Sequence, residues 1–194
     1  MPSPFWIEDV SRNTLLAQSR KLSVPTPSSR HQKTHAMKIT EVICQIIRVK
    51  SVEAKTASSQ DSVIVRIRTD TGLEGVGEAD SSPEVVKAIV DAPFSHNVAW
   101  GLRLLLVGEN PLETERLWQM MYRRTMYFGR TGAGITAMAA VDMALWDLKG
   151  KFFQQPIHCL LGGKQHSSFK AYASILFGRD GKETHDIGQR WIAA

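Results

Sequence analysis

The sequence predicts an α+β fold, a three-stranded antiparallel meander followed by helices, and three observations predict it. Residues 62–69 alternate, with Val63, Val65 and Ile67 set against Ile64, Arg66 and Arg68, the period of a half-buried strand. Two later stretches open with helix-start signals, Ser82-Pro83 and Asn110-Pro111-Leu112-Glu113. Residues 137–163 read as one long helix, closed by Pro156 and a Gly162-Gly163 stop.

Each element follows in order. Residues 1–36 are rich in Ser, Pro, Thr and basic side chains and read as a disordered leader ahead of Met37. An organelle transit peptide is the sharper reading of its Arg and Ser content, and Glu8 and Asp9 count against it. Residues 38–50 form the first strand on Ile39, Val42, Ile43, Ile46, Ile47 and Val49. A polar loop, 51–61, leads to the alternating strand. Asp70-Thr71-Gly72 is a turn signal. The third strand, 73–78, carries Gly75 and Gly77, which mark bulges or a close backbone approach. Ser82 is placed to cap the first helix, with Pro83 where its missing N–H costs nothing. Asp91-Ala92-Pro93 interrupts that helix. Residues 98–107 carry an apolar run, and a helix beginning near Asn110 runs to about Arg124, presenting Leu112, Leu117, Trp118 and Met121.

The long helix mixes small Ala137, Ala139, Ala140 and Ala144 with Val141, Leu145 and Leu148. Small residues admit a neighbouring backbone, so the helix is expected to pack tightly against something large, mostly outside this chain. After Gly163 comes a short strand, 169–177, and then a helix start from Thr184. A strand followed by a helix opens a βα repeat.

Composition excludes several classes. At 194 residues the chain has room for one ordinary domain, or for one small domain plus extra segments. No apolar run approaches the roughly 20 residues that span a bilayer, so a membrane protein is not expected. Of the formal charge of +5, most comes from Arg12, Arg20, Lys21, Arg30 and Lys33 in the leader. The remainder shows no basic stripe, so nucleic acid is not expected as a partner. Cys44 and Cys159 sit in apolar patterns and read as buried free thiols of a reducing, cytoplasmic compartment.

Spacing alone names no reaction. Gly129, Gly132 and Gly134 could cradle an anion, but the spacing is not G-x-G-x-x-G; a flexible approach to a closely packed helix fits better. Asp142 and Asp147, five apart, share a helix face poorly, and Asp147, Lys149 and Lys151 are expected to make local ion pairs. The only His-x3-His pair is His31 and His35, in the leader. There is no Cys-x-x-Cys, no Ser-His-Asp setting and no metal-ligand spacing in the rest.

Residue by residue, the stretch Ala137, Ala139-Ala140, Val141, Asp142, Ala144-Leu145, Asp147-Leu148, Gly150-Lys151, Pro156-Ile157 and Leu160-Leu161-Gly162 resembles the N-terminal signature of the mandelate racemase and muconate lactonizing enzyme family, within the enolase superfamily. The upstream GLEGVGEAD and YFGRTG segments and the order of elements are similar to the same family. The resemblance covers about residues 37–194 and excludes the leader.

The resemblance implies a capping domain over 37–163 and the first βα unit of a truncated TIM barrel over 164–194. It implies that loops 51–61 and 80–97 help select substrate. Asp80, Ser81, Ser82, Tyr127 and Arg130 are the residues expected to touch it, with helix capping as the alternative role of Ser81 and Ser82. The implied chemistry is magnesium-assisted proton abstraction next to a carboxylate. The base and the metal ligands lie on later barrel strands, so this chain is expected to bind no metal and to be inactive alone. A polar loop after Asp80 suits a hydroxylated substrate, and the expected enzyme is an acid-sugar dehydratase acting on a small carboxylate or sugar acid, with a homo-oligomer possible. A racemase or cycloisomerase of the family, or a non-catalytic interaction module, are the alternatives.

Overall fold

In the computed structural model of the chain, residues 36–50, 60–80, 82–172 and 178–192 are described. Three strands, β1 (Ile39–Arg48), β2 (Asp61–Thr69) and β3 (Glu74–Ala79), form an antiparallel sheet in the order β1-β2-β3. The central strand carries the expected alternation. Val63, Val65 and Ile67 are fully buried, while Ile64 and Arg66 lie half-buried on the opposite face. Register runs from Arg48 opposite Asp61 to Val42 opposite Ile67, with one irregularity between Ile39 and Glu41.

Helices α1 (Pro83–Asp91), α2 (Leu102–Leu106) and α4 (Ala133–Phe153) cover the inner face of the sheet, and α3 (Thr114–Arg124) packs on α2 and α4. Helix α4 lies across β3 and β2, with α1 and α3 packed beside it. The core joins Val42 and Cys44 of β1 to Val86 and Val90 of α1, Leu117 and Met121 of α3, and Val141, Leu145 and Leu148 of α4. Short α5 (Ile157–Leu160) follows α4, and α6 (Gly181–Ile192) ends the described chain.

The contact between β3 and α4 corrects one expectation. The small residues of α4 were expected to await a partner mostly outside the chain, but Ala140 and Ala144 meet β3. A Cβ on Gly75 would stand 2.0 Å from the Ala144 carbonyl oxygen, and one on Gly77 would stand 1.9 Å from that of Ala140. Both distances are far inside van der Waals contact, so each glycine is required by the approach of two backbones and marks no bulge. Periodicity reported the size of the partner and not its identity.

Residues 137–163 form two helices instead of one. Helix α4 starts a turn earlier than the signature, at Ala133, behind Gly132 at φ 62°. It ends at Gln154, which takes the left-handed conformation (φ 53°, ψ 40°), its N–H directed at the Gly150 and Lys151 carbonyls. Gln155 also donates to Gly150 O, at 3.0 Å. Pro156 disfavours helical geometry in the residue before it, and the chain restarts as α5. Because α5 is one turn long with no buried residue, Cys159 is exposed; only Cys44 is the buried free thiol expected of both.

Helix α3 begins at Thr114 rather than near Asn110. Asn110 accepts the Leu112 N–H at 3.1 Å and the Glu113 N–H reaches its carbonyl at 3.2 Å, so the capping signal makes a turn before the helix. Helix α6 starts three residues before Thr184, where Asp180 Oδ1 accepts the Glu183 N–H at 2.8 Å. The strand expected at 169–177 falls mostly outside the described residues, and residues 169–172 carry no strand pairing.

Candidate functional site

The ends of the three strands and the start of α1 build one polar rim. Period two places Arg48 on the inner parity with Val42 and Cys44, at the last position of β1. Its guanidinium donates from Nε to Asp61 Oδ2 at 3.3 Å, and from a terminal nitrogen to Glu84 Oε1 in the first turn of α1. The bond from Arg48 holds the Glu84 carboxyl below the usual carboxylate range, and the same bond raises the guanidinium further. On the opposite face Ser62 Oγ donates to Glu78 Oε1 at 2.6 Å. A cavity of about 310 Å³ opens among Ile47, Arg48, Gln60, Asp61, Ser62 and Glu78.

Asp80 follows the last residue of β3 and is exposed beside this rim. Ser82 occupies the position before α1, with Pro83 next, as expected. Its side chain makes no capping bond; its carbonyl instead accepts the Val85 and Val86 N–H groups at 3.0 and 3.1 Å. With φ 5° and ψ 77°, Ser82 lies outside the extended region from which a capping hydroxyl turns back onto the helix. The capping role is thus corrected for Ser82. Ser81 and residues 51–59 lie outside the described residues.

Tyr127 and Arg130 lie elsewhere. Tyr127 is 70% exposed in a 3₁₀ turn, Met126–Phe128, and its ring stands edge-on to His96 at 4.9 Å. Its N–H donates to Val98 O at 3.2 Å. His96 belongs to the expected 80–97 loop but follows the C-terminal end of α1, whereas Asp80 and Ser82 precede the other end. Nine residues of helix, about 13 Å, separate the two groups. Arg130 lays its guanidinium 3.9 Å over the Tyr122 ring, a contact that braces the turn against α3.

Helix α4 carries the polar residues of the signature. Asp147 Oδ2 accepts the Val76 N–H at 2.8 Å and pairs with Lys151 at 2.7 Å, and Lys151 also donates to Glu74 O at 2.8 Å. Lys149 departs from the expected local pairing. It donates to Thr114 Oγ1 at 3.2 Å and stands 4.8 Å over the Trp146 ring. Burial, and then the charge of Glu115, push the Asp142 carboxyl above its ordinary range. Asp142 lines a cleft of about 470 Å³ with Glu115, Trp118, Trp146 and Lys149, between α3 and α4.

Among the described residues no three His, Cys, Asp or Glu side chains come together as metal ligands, so those residues offer no donor set for magnesium. None of the described helices is long and apolar enough to cross a membrane. Sequence reasoning missed Arg48. Its signal was a charged side chain on the buried parity of a strand end.

Comparison with known proteins follows the same boundaries. The profile of the family described as "Mandelate racemase / muconate lactonizing enzyme, N-terminal domain" matches residues 36–162. A D-galactarolactone cycloisomerase of Agrobacterium fabrum is 37% identical over 118 residues, 61% of this chain and 29% of that protein. A D-galactonate dehydratase family member of Pseudarthrobacter chlorophenolicus is 38% identical over 117 residues, 60% of this chain and 27% of its own length. The crystal structure of a "predicted Mandelate racemase" from Rhodobacter sphaeroides superposes with a TM-score of 0.69 at 27% identity, covering 81% of this chain and 40% of that one. The chain thus spans under a third of the length of these two curated relatives. The sheet, its helical cover and the matched signature lead to one assignment: the chain belongs to the mandelate racemase and muconate lactonizing enzyme family of the enolase superfamily, and residues 36–162 are its N-terminal domain.

Proposed function

We propose that residues 37–163 act as the capping, substrate-selecting domain of an acid-sugar dehydratase of this family, with 164–194 as the first βα unit of its barrel and 1–36 as a leader. The observation that carries this reading is the rim where the ends of β1, β2 and β3 meet the start of α1. Ser62, Glu78 and Asp61 line a cavity there, and exposed Asp80 and Ser82 follow β3 in the chain, hydroxyl and carboxylate groups that suit a polyhydroxylated acid. The names of the two curated relatives, a sugar-lactone cycloisomerase and a sugar-acid dehydratase family member, support that substrate class. Tyr127, on the far side of α1, is the second contact we assign to substrate, and Arg130 positions the turn that carries it.

Proton abstraction next to a carboxylate is the chemistry of the family, and the residues that perform it belong to later barrel strands. The 194 residues alone are therefore expected to turn over no aldonate. Reading the coding sequence downstream of Ala194 tests the proposal. An in-frame continuation with a Lys-x-Lys-like strand and spaced Asp or Glu residues is expected. The protein carrying it is expected to dehydrate an aldonate to a 2-keto-3-deoxy acid in the presence of magnesium. Racemisation or cycloisomerisation without dehydration would move the assignment within the family. Aldonate dehydration by the 194 residues themselves would overturn the division of labour proposed here.

A further inference from the structure

We infer that Arg48 is a positioning residue that couples the two strand ends and the helix start around the substrate-facing rim. The inference rests on the functional reading above. Arg48 stands directly opposite Asp61 in the β1–β2 register and reaches Glu84 on α1, thirty-six residues away in sequence. One guanidinium thus holds carboxylates from two segments, donating from Nε to one and from a terminal nitrogen to the other. Helix α1 also packs on β1 and β2, and Lys87 donates to Cys44 O at 2.9 Å, but at the rim itself Arg48 is the side chain that pairs with both Asp61 and Glu84. The two segments are those that flank the expected substrate loops, 51–61 on one side and 80–82 on the other. Arg48 thus ties the residues that flank these two segments, Asp61 and Glu84, to one guanidinium.

The test reads main-chain amides on the full 194-residue chain by hydrogen exchange. Val49 N–H, bonded to Gln60 O at 3.0 Å, reports the hairpin end, and the Val85 and Val86 N–H groups, bonded to Ser82 O, report the first turn of α1. Glu84→Gln is expected to speed exchange at Val49, and Asp61→Asn at Val85 and Val86, each by roughly two- to fivefold, the scale of an exposed ion pair. Arg48→Gln is expected to speed both sets. Arg48→Lys, which keeps the charge but loses the fork, is expected to restore only one of them. Central amides of Val65 and Val141 are expected to stay unchanged. The inference is overturned if each carboxylate variant affects only its own element, or if all amides accelerate together. Failure of the substrate reading would leave these exchange rates untouched and would show instead in the aldonate assay.

Discussion

Asp147 of α4 accepts the main-chain N–H of Val76, on the outer edge of β3, at 2.8 Å. A helix side chain thereby stands in for a fourth strand at that position, and Lys151 serves the Glu74 carbonyl one step along the same edge. Asp147→Ala is expected to lower stability by about 1 kcal/mol, the net worth of one partly exposed hydrogen bond. Asp147→Asn keeps an acceptor oxygen and is expected to lose less. Urea unfolding of both variants checks the order; equal loss would mean that charge alone matters.

The glycine pair of β3 makes a larger prediction. Gly77→Ala sets a methyl group 1.9 Å from the Ala140 carbonyl, where neither backbone can yield without parting strand from helix. A loss of at least about 3 kcal/mol is expected, the upper end of over-packing costs. Gly72→Ala is the control, at φ 82° with nothing within 4 Å, and is expected to cost about 1 kcal/mol through backbone strain alone. Denaturant midpoints rank the two, and the opposite ranking would refute the close approach.

Asp142 sets a pH dependence. Its carboxyl is raised above the ordinary value of 3.8 by burial and by Glu115, so in that window the folded state binds more protons than the unfolded chain. Stability from this group is full below the unfolded value and falls as pH rises through the folded one. Asp142→Asn is expected to raise the melting temperature at pH 7 and to leave it unchanged at pH 3. Melts showing a larger gain at pH 3 than at pH 7 would reverse the sign and refute the assignment.

The two thiols separate by reactivity. Cys44 is buried in the sheet–helix core, which pushes its thiol up to about 11, while Cys159 is exposed on α5. At pH 8 an aromatic disulfide reagent is expected to titrate one thiol of the native protein rapidly and the second only after denaturant is added. Cys159→Ser is expected to abolish the fast phase. Persistence of that phase in the variant would place the reactive thiol at Cys44.

Much of this fold was legible in the sequence because its signals are local. Alternation at 62–69, the Asp70-Thr71-Gly72 turn and the Ser82-Pro83 start each depend on neighbours a few residues away, and each element formed where expected. The misreadings share the opposite cause. The partner of Ala140 and Ala144 lies more than sixty residues upstream. The i,i+4 spacing of Asp147 and Lys151 matches an ordinary surface pair and conceals the bond to Val76. At the rim, Asp80 and Ser82 were placed from the resemblance, whereas Arg48 needed the strand's parity and the arrival of α1. Tyr127 reached the 80–97 segment through His96, a ring contact no spacing rule contains.

Under the substrate role proposed for Asp80, the seam between β3 and α4 also bears on how substrate preference could change. Gly75, Gly77 and Val76 are held to Ala140, Ala144 and Asp147, and Asp80 is reached one residue after that strand ends. The aim of Asp80 is therefore inherited from the tilt and depth of a helix whose seam residues stay clear of the rim. Substitutions along α4 that deepen or lift the seam would re-aim the rim without altering one side chain on it. Selections for new substrate scope should accordingly recover changes in α4 as well as in the loops.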